Sequence, residues 1–274
     1  MNKKRVCIIT DLKKKKSKAV ALQLSDWLKK HKAEVSINPK DPRVLKASNV
    51  LMGLGGDGTI LQVARIAAPL GKPVLGINLG SLGFLAETDP YQMYDMIDRV
   101  LSDQYKIENR VLIEAKVLRK NKIVGSFTAL NEAVIRNGET ARVITLELEV
   151  DKQYVATYVG DGLIASTPTG STAYSLAASG PILYPTLPVI ALCAICPHTL
   201  AQRPVIVSDS SIIKIDVKSN HNEVILTLDG QNSMVLGIND VVKITKAPYM
   251  LKLIKVPGKS YFEVLRTKLK WGKR

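Results

Sequence analysis

The sequence predicts two classes of structure, an N-terminal α/β domain and a C-terminal all-β domain of the sandwich type. Up to residue 107, short apolar runs alternate with amphipathic helical segments, which is typical of a parallel sheet covered by helices. From Glu108 onward, short runs rich in β-branched residues are separated by turn signals such as Asp229-Gly230. A length of 274 residues is sufficient for two such domains.

The elements of the first domain follow from apolar runs and helical spacing. Arg5–Thr10 is a short apolar run, and Ser17–Lys30 places its apolar side chains on one helical face. Asn49–Ala68 combines an apolar strand, a glycine-dense turn and a helix. The predicted elements are the strands Arg5–Thr10, Glu34–Ile37, Val50–Met52 and Pro73–Asn78, with helices at Ser17–Lys30, after Thr59 and at Pro90–Leu101.

The second domain shows period-two patterns and few helical ones. Its predicted strands are Leu112–Arg119, Lys122–Val134, Val143–Val150, Tyr154–Val159, Ile190–Cys196, Pro204–Val207, Ile212–Val217, Val224–Leu228, Val241–Lys246 and Leu251–Lys255. One helix is expected at Thr172–Ala178 and a last one at Tyr261–Lys268. We therefore divide the chain into residues 1–107, 108–256 and a C-terminal segment, 257–274, that we expect to return to the first domain.

Composition restricts the class of protein. Hydrophobic residues make up 46% and charged residues 23%, as in globular proteins, and no apolar run approaches the roughly 20 residues of a membrane span. The basic and then apolar start lacks the features of a signal peptide. Cys193 and Cys196 form a lone CxxC in an apolar run, which favours buried reduced thiols over a metal site. We expect a cytoplasmic protein.

The net charge of +15 has two interpretations. One is binding to nucleic acid or an anionic membrane, and the other is a lysine-rich surface that attracts anionic small molecules. Lysines cluster at Lys13–Lys16 and at Lys29–Lys32 without the interleaved aromatic residues of a base-stacking surface. The second interpretation is favoured, so no nucleic acid and no membrane partner is expected.

The segment Gly53–Gly58 is the densest glycine cluster, and it lies between a predicted strand and a predicted helix. It matches GxGxxG, but no acidic residue follows about 20 positions later, as a dinucleotide fingerprint requires, and no Gly-Lys-Ser/Thr follows as in a P-loop. Glycine amides and a helix N-terminus favour phosphate, whereas the carboxylate of Asp57 repels it. Asp57 is therefore a candidate to accept a proton or to hold a metal ion.

A second cluster of candidate residues lies in the β-rich part. Asp161-Gly162 precedes the hydroxyl-rich segment Thr167–Ser175, which leads into a predicted helix and contains Tyr174, a side chain able to stack on a ligand ring. Asn131-Glu132 ends an apolar run and is open to two interpretations, a turn or cap and a nucleotide contact. No GxSxG elbow and no metal-ligand spacing occurs.

These segments together resemble the NAD kinase family. The resemblance is carried, in the family's order, by Gly53–Arg65, Asn78–Leu85, Asn131-Glu132, Asp161–Pro181, Pro197–Pro204, Asp229–Gln231 and Tyr261–Gly272. The GGDGT segment alone is less specific, because diacylglycerol and sphingosine kinases and phosphofructokinases contain similar motifs. Its combination with Thr167–Tyr174 and Asn131-Glu132 is specific to the family.

The resemblance implies an activity and a fold. NAD kinases phosphorylate the adenosine ribose 2′-hydroxyl of NAD with ATP, another nucleoside triphosphate or, in some members, polyphosphate, and they need a divalent metal cation, here expected to be Mg²⁺. The implied fold is an α/β nucleotide-kinase (Rossmann-like) domain joined to an all-β domain. The implied partners are NAD and ATP as small-molecule substrates and further copies of the chain in a homodimer or homotetramer.

The resemblance also implies roles for individual residues. Asp57 matches the catalytic residue that takes the 2′-hydroxyl proton, and the glycine loop would bind the donor phosphates through Gly55, Gly56, Gly58 and Thr59. No metal ligand is expected from protein side chains. Contact with the donor phosphates by Lys13–Lys16 is left open. The positions matching NAD-binding residues are Asp57, Gly58, Asn131, Glu132, Arg142, Asp161, Thr172, Ala173, Tyr174, Ser175, Leu176, Ala177 and Gln231.

Two alternatives belong to other functional classes. A lipid kinase of the diacylglycerol type would share the glycine–aspartate loop and use the basic surface on membranes, but Thr167–Tyr174 suits a nucleotide better than an acyl chain. A dinucleotide-sensing module, associated with nucleic acid or acting alone, would bind NAD without forming NADP.

Overall fold

The computed structural model describes residues 3–80, 83–86, 88, 90, 92–138, 142–199, 201–219, 224–255 and 260–271. The chain forms two compact units, Met1–Asn109 with Leu251–Arg274, and Arg110–Met250. The divisions expected from the sequence lie at 107/108 and 256/257. The first unit is an α/β structure and the second is built from β-sheets, so the predicted fold class is confirmed.

The first unit contains a parallel sheet with helices. Its strands, in the order β2-β1-β3-β4, are β1 Arg5–Thr10, β2 Glu34–Ile37, β3 Val50–Gly55 and β4 Pro73–Asn78. Residues Lys252 and Leu253 of a long later strand pair in parallel with β4. The helices are α1 Lys15–Lys30, α2 Pro42–Ala47, α3 Asp57–Ala67, α4 Met93–Leu101 and, near the C-terminus, α6 Tyr261–Leu269.

Both faces of this sheet are covered, which explains why its strands are almost continuously apolar. Ile8, Met52 and Leu75 belong to one buried cluster that also includes Leu24 of α1 and Ile97 of α4. On the other face, glycines in β3 and β4 leave room for α3, since a Cβ on Gly53 would lie 3.5 Å and one on Gly76 would lie 2.8 Å from the Ile60 side chain. The register brings the ends of β3 and β4 side by side, because Gly55 pairs with Asn78.

The second unit contains two antiparallel β-layers. One has the order β12-β11-β10-β7-β14-β15, and the other includes β13 between β8 and the first half of β16. The strands of this part are β5 Lys106–Arg119, β6 Lys122–Ala129, β7 Glu132–Asn137, β8 Ile144–Val150, β9 Gln153–Gly160, β10 Gly162–Ser166, β11 Val189–Ile195, β12 Val205–Ser208, β13 Ile213–Val217, β14 Val224–Leu228, β15 Asn232–Leu236 and β16 Val241–Lys255.

Alternate side chains of both layers form one apolar core, as in a sandwich. Ile213 and Ile215 of β13 belong to the same buried cluster as Ala133 and Ile135 of β7. The next residues along β7 and β10 point to the opposite face, where Val134 and Ile164 form a smaller cluster with Leu183, Cys193 and the neighbouring Ala178. This smaller cluster supports the hydroxyl-rich segment that follows β10.

Several predicted elements differ from the observed ones. The predicted run Lys122–Val134 is interrupted at Leu130-Asn131, and the run from Val241 to Lys255 is one strand, with Pro248 between the parts that pair with β13 and β4. The predicted helix Thr172–Ala178 is a 3₁₀ turn, Gly170–Thr172, followed by the single-turn helix α5, Tyr174–Ala177. Helix α2 and strand β15 lie in stretches for which no element was predicted, because both are short and mostly polar or exposed.

The cysteine prediction is correct in part. Cys7 and Cys193 are buried free thiols, but Cys196 is exposed because it follows the last residue of β11, in a left-handed conformation with φ of 43°. No helix in the described part of the chain is long and apolar enough to cross a membrane.

Candidate functional site

The glycine loop joins β3 to α3 and fixes the position of Asp57. Gly56 is the N-cap of α3 and Asp57 is the first residue of the helix. The Asp57 carboxylate accepts two backbone N–H groups, from Phe84 to Oδ2 at 2.9 Å and from Leu85 to Oδ1 at 3.2 Å. A half-buried carboxylate is thus held at a helix N-terminus, in one orientation, by the loop that follows β4.

Two glycines in these loops are required by close contacts. A Cβ on Gly83 would lie 2.6 Å from Cγ of Asp57 and 2.9 Å from its Oδ2. A Cβ on Gly55 would lie 2.9 Å from Cβ of Thr59. Real Cβ atoms do not approach other atoms this closely, so either substitution would displace the neighbouring side chain.

A lysine also reaches the end of β4. The Lys16 ammonium donates to the Leu79 carbonyl at 2.5 Å, and the Leu79 N–H donates to the Gly55 carbonyl at 3.4 Å. The glycine loop, the start of α3 and one ammonium group therefore meet at the carboxyl edge of the parallel sheet, where open α/β sheets bind ligands. Exposed glycine amides, a helix N-terminus and a lysine together suit a phosphate group.

In the second unit, the Asn131-Glu132 pair is held by the hydroxyl-rich segment. The Thr167 N–H donates to the Asn131 carbonyl at 2.8 Å, and the Thr167 hydroxyl donates to the Leu130 carbonyl at 2.5 Å. Gly170 lies so close that a Cβ there would be 2.7 Å from Cα of Asn131. The predicted residues Asn131 and Glu132 are thereby brought next to the segment that leads into Thr172–Ala177.

Glu132 is a buried carboxyl group with few partners. Only 6% of the residue is exposed, and its Oε2 has no hydrogen-bond partner among the described residues. Burial, together with the negative charge of Asp229, raises the pKa of Glu132 to about 8, although the backbone N–H of Tyr174 acts in the opposite direction. At neutral pH the carboxyl group is therefore mostly protonated.

A cavity of about 650 Å³ lies beside Tyr174 in the same unit. Its lining includes Tyr174 and Ala177 from the predicted set, together with Cys196, Gln202 and Arg203. Tyr174 is 42% exposed, so its ring is accessible to a ligand in this cavity. The predicted residues Thr172, Ala173, Ser175 and Leu176 lie in the same short segment, with Ser175 buried against Cys193.

The three remaining predicted NAD-binding residues lie on other segments of the second unit. Asp161 directly precedes Gly162, the first residue of β10, whereas Glu132 pairs with Ser166, the last residue of β10. Asp161 is therefore at least four strand residues, or about 13 Å, from the level of Glu132. Its carboxylate accepts from the Asn137 side-chain amide at 3.2 Å. Arg142 is exposed two residues before β8, and Gln231 is exposed directly before β15.

Two buried charged residues near these positions were not predicted. Asp229 bonds to the Asn131-Glu132 backbone, and Arg110, only 3% exposed, donates to the Thr169 hydroxyl at 3.2 Å. The sequence signals for Asp229 are the Asp-Gly turn and the family resemblance of Asp229–Gln231, neither of which gives it a role, and Arg110 gives no signal.

No described residue of the glycine loop belongs to a cluster of potential metal ligands. Among the described residues, one group of three potential ligands occurs, Glu147, Glu149 and Asp216. This group lies in the second unit, and its carboxylates form ion pairs with lysines. The Lys214 ammonium lies 2.9 Å from Oδ2 of Asp216, and the Lys218 ammonium lies 3.2 Å from Oε1 of Glu147.

Comparisons with known proteins agree with one another. The family models described as the ATP-NAD kinase N-terminal and C-terminal domains match residues 46–105 and 130–256. The chain is 48% identical over 226 residues to an NAD kinase of Syntrophotalea carbinolica, with 82% of this chain and 79% of the relative covered. It is 39% identical over 279 residues to an NAD kinase of Caldanaerobacter subterraneus subsp. tengcongensis, with 97% of this chain and 99% of the relative covered.

Solved structures show the same fold. Yeast NADH kinase complexed with NADH matches with a TM-score of 0.91 at 24% identity, covering 100% of this chain and 89% of that one. An NAD kinase from Archaeoglobus fulgidus in complex with ATP matches with a TM-score of 0.77 at 24% identity, covering 97% and 98%.

Proposed function

The chain belongs to the NAD kinase family, and we infer that it transfers the terminal phosphoryl group of ATP to the adenosine ribose 2′-hydroxyl of NAD, giving NADP. Phosphorylation of NAD with ATP is supported by relatives named NAD kinase that cover almost the whole chain. The choice of the 2′-hydroxyl and the roles of single residues are our proposals. The observation that supports them most directly is the fixed carboxylate of Asp57 at the glycine loop.

Asp57 is the proposed general base. Phosphoryl transfer depends mainly on positioning and on charge stabilisation, so the protein must orient the attacking hydroxyl and accept its proton. Two backbone N–H groups orient the Asp57 carboxylate. Among the described residues each oxygen accepts one of them, and its second lone pair can accept the hydroxyl proton. The proton moves to the carboxylate as the hydroxyl oxygen attacks the phosphorus, and ADP leaves.

The donor phosphates are proposed to bind at the start of α3, against the loop residues Gly55, Gly56, Gly58 and Thr59. Lys16 lies beside this loop and supplies a positive charge. A divalent cation, Mg²⁺ in our proposal, neutralises charge on the triphosphate when it is bound. Such a cation would be held largely by the donor phosphates.

NAD is proposed to bind through the residues of the second unit. Asn131 and Glu132 would hold the adenosine half, and Tyr174 would lie against the adenine, in the cavity that its ring lines. Thr172–Ala177 would complete this region, with Asp161, Arg142 and Gln231 as further contacts to NAD. A homodimer or homotetramer is the proposed assembly.

The deciding experiment combines a turnover assay with a binding assay on Asp57→Asn. Asparagine keeps the shape but not the basicity, so we expect NADP formation from NAD, ATP and Mg²⁺ to fall by about 10²–10⁴-fold while NAD affinity stays near that of the unmodified protein. Asp98→Asn, an exposed carboxylate on α4, is the matched control and should keep full activity.

The outcomes separate the alternatives. An Asp57→Asn variant with near-normal turnover would refute the general-base role. NAD binding by the unmodified protein without NADP formation would favour a dinucleotide-sensing module, and phosphorylation of lipid vesicles in place of NAD would favour a lipid kinase.

A further inference from the structure

The turn between β14 and β15 carries a carboxylate that bonds to the Asn131-Glu132 segment. Asp229 and Gly230 both have positive φ, 51° and 63°, and the Gln231 N–H donates to the Leu228 carbonyl at 2.9 Å. Positive φ at two successive residues is typical of a type I′ turn, for which Asp-Gly is a preferred sequence. The turn is thus specified by the Asp-Gly sequence and by a backbone hydrogen bond. The Asp229 carboxylate is not part of that bond and contacts another segment of the chain.

The Asp229 carboxylate contacts the backbone N–H groups of three consecutive residues. The Asp229 carboxylate accepts from Leu130 at 3.0 Å, from Asn131 at 2.8 Å and from Glu132 at 3.2 Å. The Asp229 N–H in turn donates to the Glu132 carbonyl at 3.0 Å. Asp229 is only 7% exposed, so these bonds to a charged acceptor are largely shielded from water and fix the segment on which Asn131 and Glu132 lie.

The same charge acts on the Glu132 side chain. Glu132 is 6% exposed, and its Oε2 has no partner among the described residues. Around it, β10 contributes the neutral Ser166, α5 contributes the backbone N–H of Tyr174, and the β14–β15 turn contributes the negative charge of Asp229. Arg110, a buried cation, donates to Thr169 of the neighbouring segment, but the charge that acts on Glu132 is the negative one of Asp229. Burial and that charge leave the carboxyl group more stable with its proton.

We propose that Asp229 is a positioning residue for NAD, which fixes the Asn131-Glu132 backbone and keeps the buried Glu132 carboxyl group protonated so that it donates a hydrogen bond to the nucleotide. This inference rests on the proposed function. Glu132 then presents one O–H donor to an acceptor atom of the sugar or base, in place of a second negative charge facing an anionic ligand. Buried polar atoms normally have partners, and the bound nucleotide supplies one for Oε2.

The sign of the pH dependence follows from this protonation state. Because burial and Asp229 raise the pKa of Glu132 to about 8, the donor is present at pH 7 and is lost as the pH rises through that value. NAD affinity should therefore be constant from pH 6 to neutrality and fall above it. A carboxylate that accepts from a ribose hydroxyl would give the opposite trend, with affinity rising as Glu132 ionises.

The test is equilibrium NAD binding from about pH 6 to 9.5, without ATP, on the full chain and three variants. Glu132→Gln carries a permanent donor, so its binding should lose the alkaline decline. Asp229→Asn preserves the turn, because Asn-Gly also favours type I′, but it replaces one acceptor oxygen by NH₂ and removes the charge. We expect about tenfold or greater weakening of NAD binding and a decline that begins at lower pH.

Asp240→Asn is the matched control. Asp240 is also a buried carboxylate that accepts a backbone N–H, from Gly237 at 2.8 Å, but its charge is paired with Arg119. This variant should lose thermal stability and keep the pH profile of the unmodified protein. A profile of the unmodified protein that is flat or rises with pH would overturn the protonation state, and an Asp229→Asn profile identical to that of Asp240→Asn would overturn the positioning role.

Failure of this inference is distinct from failure of the proposed function. NADP formation at pH 7 together with pH-independent NAD binding would refute only the inference. NAD binding with the alkaline decline but without NADP formation would refute only the proposed reaction.

Discussion

A single missing Cβ determines how Asp57 is held. The Phe84 and Leu85 amides reach its carboxylate only because the preceding residue, Gly83, has no side chain to occupy the same space. An added methyl group would lie 2.6 Å from the carboxylate carbon, so either the loop or Asp57 must move. Position matters here because misplacement of a reacting group by about 1 Å can cost 10²-fold in rate.

We predict that Gly83→Ala lowers kcat by about 100-fold while the KM for NAD changes little, because the substitution displaces the proposed base and does not alter the NAD-binding residues of the second unit. Steady-state kinetics with NAD and ATP measure both parameters. Gly80→Ala is the control, since its Cβ would have a single neighbour at 3.9 Å. A Gly83→Ala variant with unchanged kcat would show that the orientation seen for Asp57 is not the reactive one.

A helix or strand is predicted accurately from the sequence when contacts between nearby residues determine it. Strands β1, β2 and β4 have the predicted boundaries, because an apolar run bounded by turn residues specifies them locally. The segment after β10 was predicted as one helix from Thr172. It forms a 3₁₀ turn and a single helical turn, because Thr167 and Gly170 are tied to Leu130 and Asn131, which are distant in sequence.

The candidate site shows the same division. Asp57 was predictable because its four neighbouring glycines are adjacent in sequence. Asp229 was not, because its three acceptor bonds join residues 97 to 99 positions apart and nothing near the turn indicates them. Sequence patterns report the residues of a site, whereas the groups that hold those residues become visible only when long-range contacts are known.

We predict that Gly170→Ala raises the KM for NAD by about 5–150-fold with a smaller change in kcat. Its Cβ would lie 2.7 Å from Cα of Asn131, so the short helical segment must separate from the Asn131-Glu132 backbone. Loss of those partly buried hydrogen bonds costs about 1–3 kcal/mol, which is about 5–150-fold in affinity. Gly237→Ala, with one neighbour at 3.8 Å, is the control, and a Gly170→Ala variant with unchanged KM for NAD would contradict the assignment.

For the whole molecule, the notable property is the charge of +15 from 39 basic and 24 acidic residues. Ion pairs such as Asp209 with Lys246 at 2.6 Å and Asp240 with Arg119 at 2.7 Å are neutral at long range, so the long-range field comes from the basic residues in excess. Exposed lysines on α1 include Lys15, Lys18 and Lys29. A field of this sign attracts polyanions and raises their rate of encounter with the protein.

We predict that raising the KCl concentration from about 20 to 300 mM lowers kcat/KM for ATP several-fold and leaves kcat nearly constant. The Debye length falls below about 10 Å, so the surface charge no longer attracts ATP from a distance. The effect should be smaller for NAD, which carries less negative charge than ATP. The double variant Lys13→Gln with Lys14→Gln, which removes exposed charge before α1, should have a shallower salt dependence for ATP and unchanged kcat. Equal salt dependence for both substrates, or none, would show that the net charge serves solubility and does not guide the donor.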